Sequence, residues 1–160
     1  MELYLLRHGS SERARAGEPD SERPLTADGE HEIRRVVAAA KLAGACPTLI
    51  LSSPYRRAMQ SARIAADLLD YKGPVLASDA LTPDADPPAV WEEVRVHRSE
   101  AALLLAGHEP LFSACAAHLL GSPDLQVDFP KAGLLRIEFE RFVAEPRGIL
   151  KWMLAPDLVA

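Results

Sequence analysis

Leu3-Tyr4-Leu5-Leu6-Arg7-His8-Gly9 opens the chain with four consecutive apolar residues that run directly into a cationic and a titratable side chain. A short apolar run closed by a glycine reads as a strand buried on both faces. Its carboxyl end then carries Arg7 and His8. Open α/β sheets place their ligand sites at the carboxyl ends of their strands. A guanidinium offers a fork of donors that matches phosphate oxygens, and a glycine lets backbone approach a ligand closely. Arg-His-Gly alone also suits a solvated strand-ending turn, so its weight depends on how the other strands end.

Strand and helix patterns alternate along the rest of the chain. A polar loop over 10–24 precedes a helix capped by Thr26, with Asp28 and Glu30 in its first turn and a stop at Gly44. Thr48 to Ser52 reads as a second strand, and after Ser53-Pro54 a helix carries Ala58, Ala62, Ile64, Ala65, Leu68 and Leu69. Val75-Leu76-Ala77 is a short third strand. Asp86-Pro87-Pro88 starts another helix, with cap and prolines where no backbone donor is needed. Ala101 to Ala106 is an apolar strand ending in Gly107-His108, followed by a helix to Leu120-Gly121. Leu135 to Glu140 alternates as a half-exposed strand does, and a turn at Glu145 to Gly148 leads to Ile149–Leu154 as its antiparallel partner. The expected fold is α/β: a three-layer αβα sandwich on a mixed, mostly parallel sheet, closed by a C-terminal antiparallel hairpin.

At 160 residues, 48% of them hydrophobic and 26% charged, one domain over 1–160 with a real core is expected. A net charge of −5 gives no global attraction to nucleic acid or anionic lipid, so a phosphate site here must rest on a local cluster of positive charge. No apolar run is long enough to span a bilayer, and the acidic Glu2 without a basic flank is unlike a secretory signal, which makes the cytoplasm the expected location. Cys46 and Cys115 do not make a disulfide framework, and Cys115 falls in an apolar helical pattern that reads as core. No histidine–cysteine spacing suggests a metal. Asp84-Ala85-Asp86 follows Leu-Thr-Pro and precedes Pro-Pro, the context of a turn and helix cap.

Three predicted strands end in related chemistry. The first ends in Arg7-His8, the second in Ser52-Ser53-Pro54-Tyr55-Arg56-Arg57, and the apolar strand in Gly107-His108. If these strands are parallel, one rim gathers two histidines and at least two arginines. Cations at a helix N-terminus oppose the helix dipole, an arrangement that a bound anion would explain.

Leu6-Arg7-His8-Gly9, Pro24-Leu25-Thr26-Ala27-Asp28-Gly29, Ser52-Ser53-Pro54-Tyr55-Arg56-Arg57-Ala58-Met59-Gln60-Ser61 and Gly107-His108-Glu109-Pro110 occur in that order. This set resembles the motifs of the histidine phosphatase superfamily, whose fold is phosphoglycerate-mutase-like. The short chain, Leu81-Thr82-Pro83 and Pro130-Lys131-Ala132-Gly133-Leu134 are similar to the compact SixA-type phosphohistidine phosphatases. The resemblance implies that His8 accepts the phosphoryl group, that Arg7 and Arg57 clamp its oxygens, and that His108 donates to an oxygen gaining charge. Arg57 matches the family's arginine because it directly precedes Ala58 in an Arg-Ala-x-Gln pattern. Arg56 is then an exposed neighbour that attracts an acidic substrate. The resemblance implies no cofactor or metal. It implies a phosphohistidine-bearing protein, such as a phosphotransfer domain in signal transduction, as the substrate, with no nucleic-acid or membrane partner.

Two departures bear on the substrate. Relatives acting on phosphate monoesters often carry an acidic residue after the third strand in a Leu-x-Glu context, where this chain has Leu81-Thr82-Pro83. The mutases tend to have an asparagine six residues after the nucleophile, where this chain has Ala14. A phosphoramidate needs less help, because a departing imidazole can carry its own proton near neutral pH. The alternative is a phosphatase of small phosphomonoesters or nucleotides, with Asp84, Asp86 or Glu12 as the acid. An inactive phosphate-binding module is a third reading, which retention of all four core residues opposes.

Overall fold

Leu3, Tyr4, Leu5 and Leu6 are completely buried in β1 (Glu2–Arg7), in a computed structural model that describes every residue from Met1 to Ala160. The chain continues through α1 (Ala27–Leu42), β2 (Leu49–Ser52), α2 (Arg56–Leu68), β3 (Val75–Ala77) and α3 (Pro87–Val96). It ends with β4 (Ala102–Gly107), α4 (Leu111–Leu119), β5 (Leu134–Glu138) and β6 (Ile149–Leu154). The six strands form one sheet in the order β3-β2-β4-β1-β5-β6. β3, β2, β4 and β1 pair in parallel, β5 runs antiparallel to β1, and β6 antiparallel to β5. This is the mixed, mostly parallel sheet with a C-terminal hairpin that the sequence predicts.

Both faces are covered, which is why β1 and β4 read as continuous apolar runs instead of alternating ones. Tyr4, Leu6, Leu104 and Ala106 pack with Ile33, Val36 and Val37 of α1 and Ala62 and Ala65 of α2. Leu3, Leu5, Leu103 and Leu105 turn to the other face and pack with Val90, Trp91 and Val94 of α3 and Phe112 and Cys115 of α4. The helix caps are as the sequence predicts. Thr26 Oγ1 accepts from Gly29 N at 2.9 Å, and Asp86 Oδ1 from Ala89 N at 2.9 Å. Gly44, with φ of 86°, ends α1 in the left-handed region that favours glycine.

Two strand boundaries move. The predicted Ala101–Ala106 strand lies one residue later, and the predicted Leu135–Glu140 strand is Leu134–Glu138. The predicted alternation holds from Leu135 to Glu140, with Leu135, Ile137 and Phe139 buried and Arg136, Glu138 and Glu140 more exposed. A bulge between Arg136 and Ile137 shifts the register of β5 with β6. Phe139 continues the pairing with β1, its amide donating to Met1 O at 2.9 Å and its carbonyl accepting from the Met1 amino group at 2.9 Å. No helix is long and apolar enough to cross a membrane.

α1 begins against the loop that leaves β1. A Cβ on Gly9 would lie 2.4 Å from Gly29 O, and one on Gly29 would lie 2.0 Å from Ser10 O. Backbone meets backbone here, so no side-chain rotation can relieve the overlap. Gly29→Ala is expected to destabilise the protein by about 3 kcal/mol, at the upper end of overpacking costs, measured by urea unfolding. A change below about 0.5 kcal/mol would show that the helix start can shift freely.

Candidate active site

His8 follows the last residue of β1, and its amide donates to Gly107 O at 3.0 Å, tying it to the end of β4. Its Nδ1 lies 2.7 Å from Gly9 O. A carbonyl only accepts, so Nδ1 carries the proton and Nε2 keeps its lone pair. Arg57 Nε donates to that same Nε2 at 3.3 Å, which requires it to be an acceptor. The tautomer is thus set twice, from opposite sides of the ring.

His108 follows β4, and its ring centroid is 5.1 Å from that of His8. Its Nε2 is 2.8 Å from Ser53 Oγ, and its buried Nδ1 has no partner. Arg7 donates through Nη1 to Phe129 O at 2.6 Å, while its buried Nε is unpartnered. Arg57, only 5% exposed, enters from the first turn of α2. Arg7, His8, Arg57 and His108 are therefore gathered at one rim, as the motif order predicts. Arg56, next to Arg57, is exposed.

Several contacts have no counterpart in the sequence reading. Asp20 reaches Arg57 twice, accepting from Nη1 through its backbone oxygen at 2.7 Å and from Nη2 through Oδ2 at 3.0 Å. Ser61 accepts from Gly9 N at 3.3 Å and donates to Arg57 O at 2.8 Å, so it fastens the loop after β1 to α2. Ser53 holds His108. Asp20 sits in an irregular polar loop without periodicity. Ser53 and Ser61 lie inside a motif but carry no chemistry that marks them.

The carboxyl groups named from sequence do other work. Asp86 caps α3, Asp84 is exposed, and Glu12 lines a surface depression with Arg56. Asp20 is hydrogen-bonded to Arg57, and the charges of Glu109 and Asp128 act on Arg7. Hydrogen bonds from Arg23 and Arg57 hold Asp20 below the usual carboxylate range, although its burial acts the other way. No group of three or more His, Cys, Asp or Glu side chains is placed to hold a metal ion.

A family model described as the histidine phosphatase superfamily (branch 1) matches residues 3–82. The chain belongs to this superfamily. An uncharacterised protein of Picosynechococcus sp. is 35% identical over 138 residues, which cover 84% of this chain and 83% of that one. The structure of the protein histidine phosphatase SixA complexed with tungstate superposes with a TM-score of 0.85 at 24% identity, covering 98% of both chains. A structure from Agrobacterium tumefaciens, assigned as a SixA phosphohistidine phosphatase, gives 0.82 at 25% identity over 97% of both. The shared fold is the phosphoglycerate-mutase-like αβα sandwich.

In this member of the superfamily both site imidazoles resist protonation. Burial is the main cause for His8, reinforced by the charges of Arg57, Arg7 and Lys131, against the hydrogen bond to Gly9. The result is a pKa pushed down to about 4. Burial also dominates for His108, with the nearby His8 and Arg57 adding to it and Asp20 opposing, and its pKa falls to about 3. Unfolding returns both to the ordinary value near 6.5. Between pH 6.5 and about 4 the unfolded chain therefore binds more protons, so stability falls as pH drops through this window and is flat above it. Urea unfolding at pH 5 against pH 7.5 should show a loss on the order of 2 kcal/mol for each histidine. His108→Asn should remove about half of that dependence; an unchanged slope would contradict the buried neutral pair.

Proposed function

We propose that this protein is a metal-independent phosphohistidine phosphatase that works through a phosphorylated His8. The observation that carries this reading is the environment of His8: a neutral imidazole with an unprotonated Nε2, flanked by two arginines and a second histidine. Nε2 attacks phosphorus and the bond to the leaving nitrogen breaks. A substrate histidine protonated on its other ring nitrogen departs as neutral imidazole. Water then attacks phospho-His8, releasing inorganic phosphate and restoring the Nε2 lone pair. Splitting hydrolysis in two makes each displacement easier.

Arg7 and Arg57 would balance charge on the phosphoryl oxygens, the main demand of such transfers. The unpartnered polar atoms Arg7 Nε and His108 Nδ1 fit this role, since buried polar groups normally have partners and a bound oxyanion would supply them. The related SixA structure is a complex with tungstate, itself an oxyanion, which supports oxyanion binding on this fold. The phosphohistidine preference rests on Asp20. Hydrogen-bonded by two arginines, Asp20 stays ionised near neutral pH and is a poor proton donor to an alkoxide.

Rates should therefore depend steeply on the leaving group. Phosphohistidine peptides and aryl phosphates should be hydrolysed about 10²–10⁴-fold faster than phosphoserine or phosphoglycerate, the span a missing general acid leaves. Rapid acid-free quenching should trap base-stable label on the protein, and His8→Ala should abolish both label and turnover. Efficient alkyl phosphate hydrolysis that collapses in Asp84→Asn or Asp86→Asn would replace this reading with a small-molecule phosphatase.

The two adjacent arginines give a separate test. Arg57→Ala should lower kcat/KM by roughly 10²-fold on aryl phosphate, the scale of losing a preorganised charge donor. Arg56→Ala should change it less than about threefold on the same substrate, as expected for an exposed charge. The reverse ranking would mean that Arg56 holds the phosphoryl group.

A further inference from the structure

Glu12, Arg13, Arg15, Glu18, Pro24 and Arg56 line a polar depression of about 320 Å³. It adjoins the catalytic cluster along the chain from two sides. Arg56 directly precedes Arg57 at the start of α2, and residues 12–18 lie on the loop that joins His8 to Asp20. Three exposed guanidiniums meet there. None of them forms an ion pair, whereas nearby Arg23 and Arg57 are each paired with Asp20.

The carboxylates in the lining leave these charges free. Glu18 accepts from the backbone amide of Arg15 at 3.4 Å, and neither Glu12 nor Glu18 pairs with a guanidinium. α2 adds to the positive potential, because its first turn holds Arg56 and Arg57, no acidic residue and no side-chain cap. On a chain of net charge −5 the lining, three arginines against two glutamates, keeps a net positive charge of the opposite sign to the whole molecule. Self-repulsion among three arginines brings no benefit to folding, so an external anion is the simplest reason for the cluster.

We propose that this depression docks an acidic segment of the protein substrate, seating its Asp or Glu side chains while the adjacent phosphohistidine presents its phosphoryl group to His8. This rests on the phosphohistidine reading given above. Exposed guanidiniums hold a single small anion weakly in water. Several carboxylates presented together on one polypeptide are steered and oriented by such a patch, which raises the rate of productive encounter. The spread of the arginines over two separate elements, the loop and α2, suits an extended acidic segment better than one compact group.

The test uses two phosphohistidine peptides of equal length, one flanked by Asp and Glu, the other by Asn and Gln, with para-nitrophenyl phosphate as a third substrate. The wild-type protein should prefer the acidic peptide by about tenfold in kcat/KM at low salt, and about 0.5 M NaCl should erase most of the preference. Arg13→Gln, Arg15→Gln and Arg56→Gln combined should remove it through KM, and the matching Glu substitutions should invert it. Turnover of para-nitrophenyl phosphate reports whether the variants remain folded. Equal wild-type rates on the two peptides would overturn the docking proposal and leave the phosphohistidine reading standing. Hydrolysis of the aryl phosphate but of neither peptide would overturn both. A preference for a small bisphosphate over its monophosphate, with no effect of peptide flanks, would give the depression to a second phosphate and overturn the acidic-segment assignment.

Discussion

The parallel pairing of β1 with β4, and of β4 with β2, is the constraint on which the site depends. Its register sets Arg7 opposite Gly107 and Ser52 opposite Ala106, so three strands finish at one level. The residues that follow each strand then share a rim without any long-range adjustment. A slip of one residue in β1 would exchange its two faces, sending Tyr4 and Leu6 into the core that now holds Leu3 and Leu5. The continuous apolar burial of β1 and β4 thus does two things at once. It secures the sheet, and it fixes where His8 and His108 emerge.

Having placed the histidines there, the fold surrounds them with opposing demands. Burial and guanidinium charge both disfavour imidazolium, which keeps the rings neutral but costs stability in acid. Arg57 is buried too, and a lone buried guanidinium would be expensive. Asp20 relieves that cost with two contacts, while Ser61 ties the helix backbone under Arg57 to Gly9. The Gly9–Gly29 approach closes the same loop against α1. Each support is modest, and together they leave the ring of His8 little freedom.

Most of this could be read from residue order, for identifiable reasons. Buried parallel strands announce themselves as apolar runs, and Thr26 and Asp86 mark helix starts through chemistry local to a few residues. The two arginines and two histidines at the rim stood out because each lies where a regular element starts or ends. Asp20, Ser53 and the carbonyl of Phe129 gave no such signal. Their importance comes from contacts across 37, 55 and 122 positions of chain, which no local pattern encodes.

Cys115 is fully buried on the inner face of α4, with its thiol pushed well above its ordinary range by burial. Cys46 is exposed but precedes β2, at the end of that strand away from Ser52 and the histidines. Neither thiol takes part in the proposed chemistry. Phosphoryl transfer on imidazole would then continue under peroxide or alkylating stress that silences thiolate-based enzymes. In a cell that uses both kinds of phosphatase, an oxidative burst would leave this one working while the thiol enzymes fall quiet.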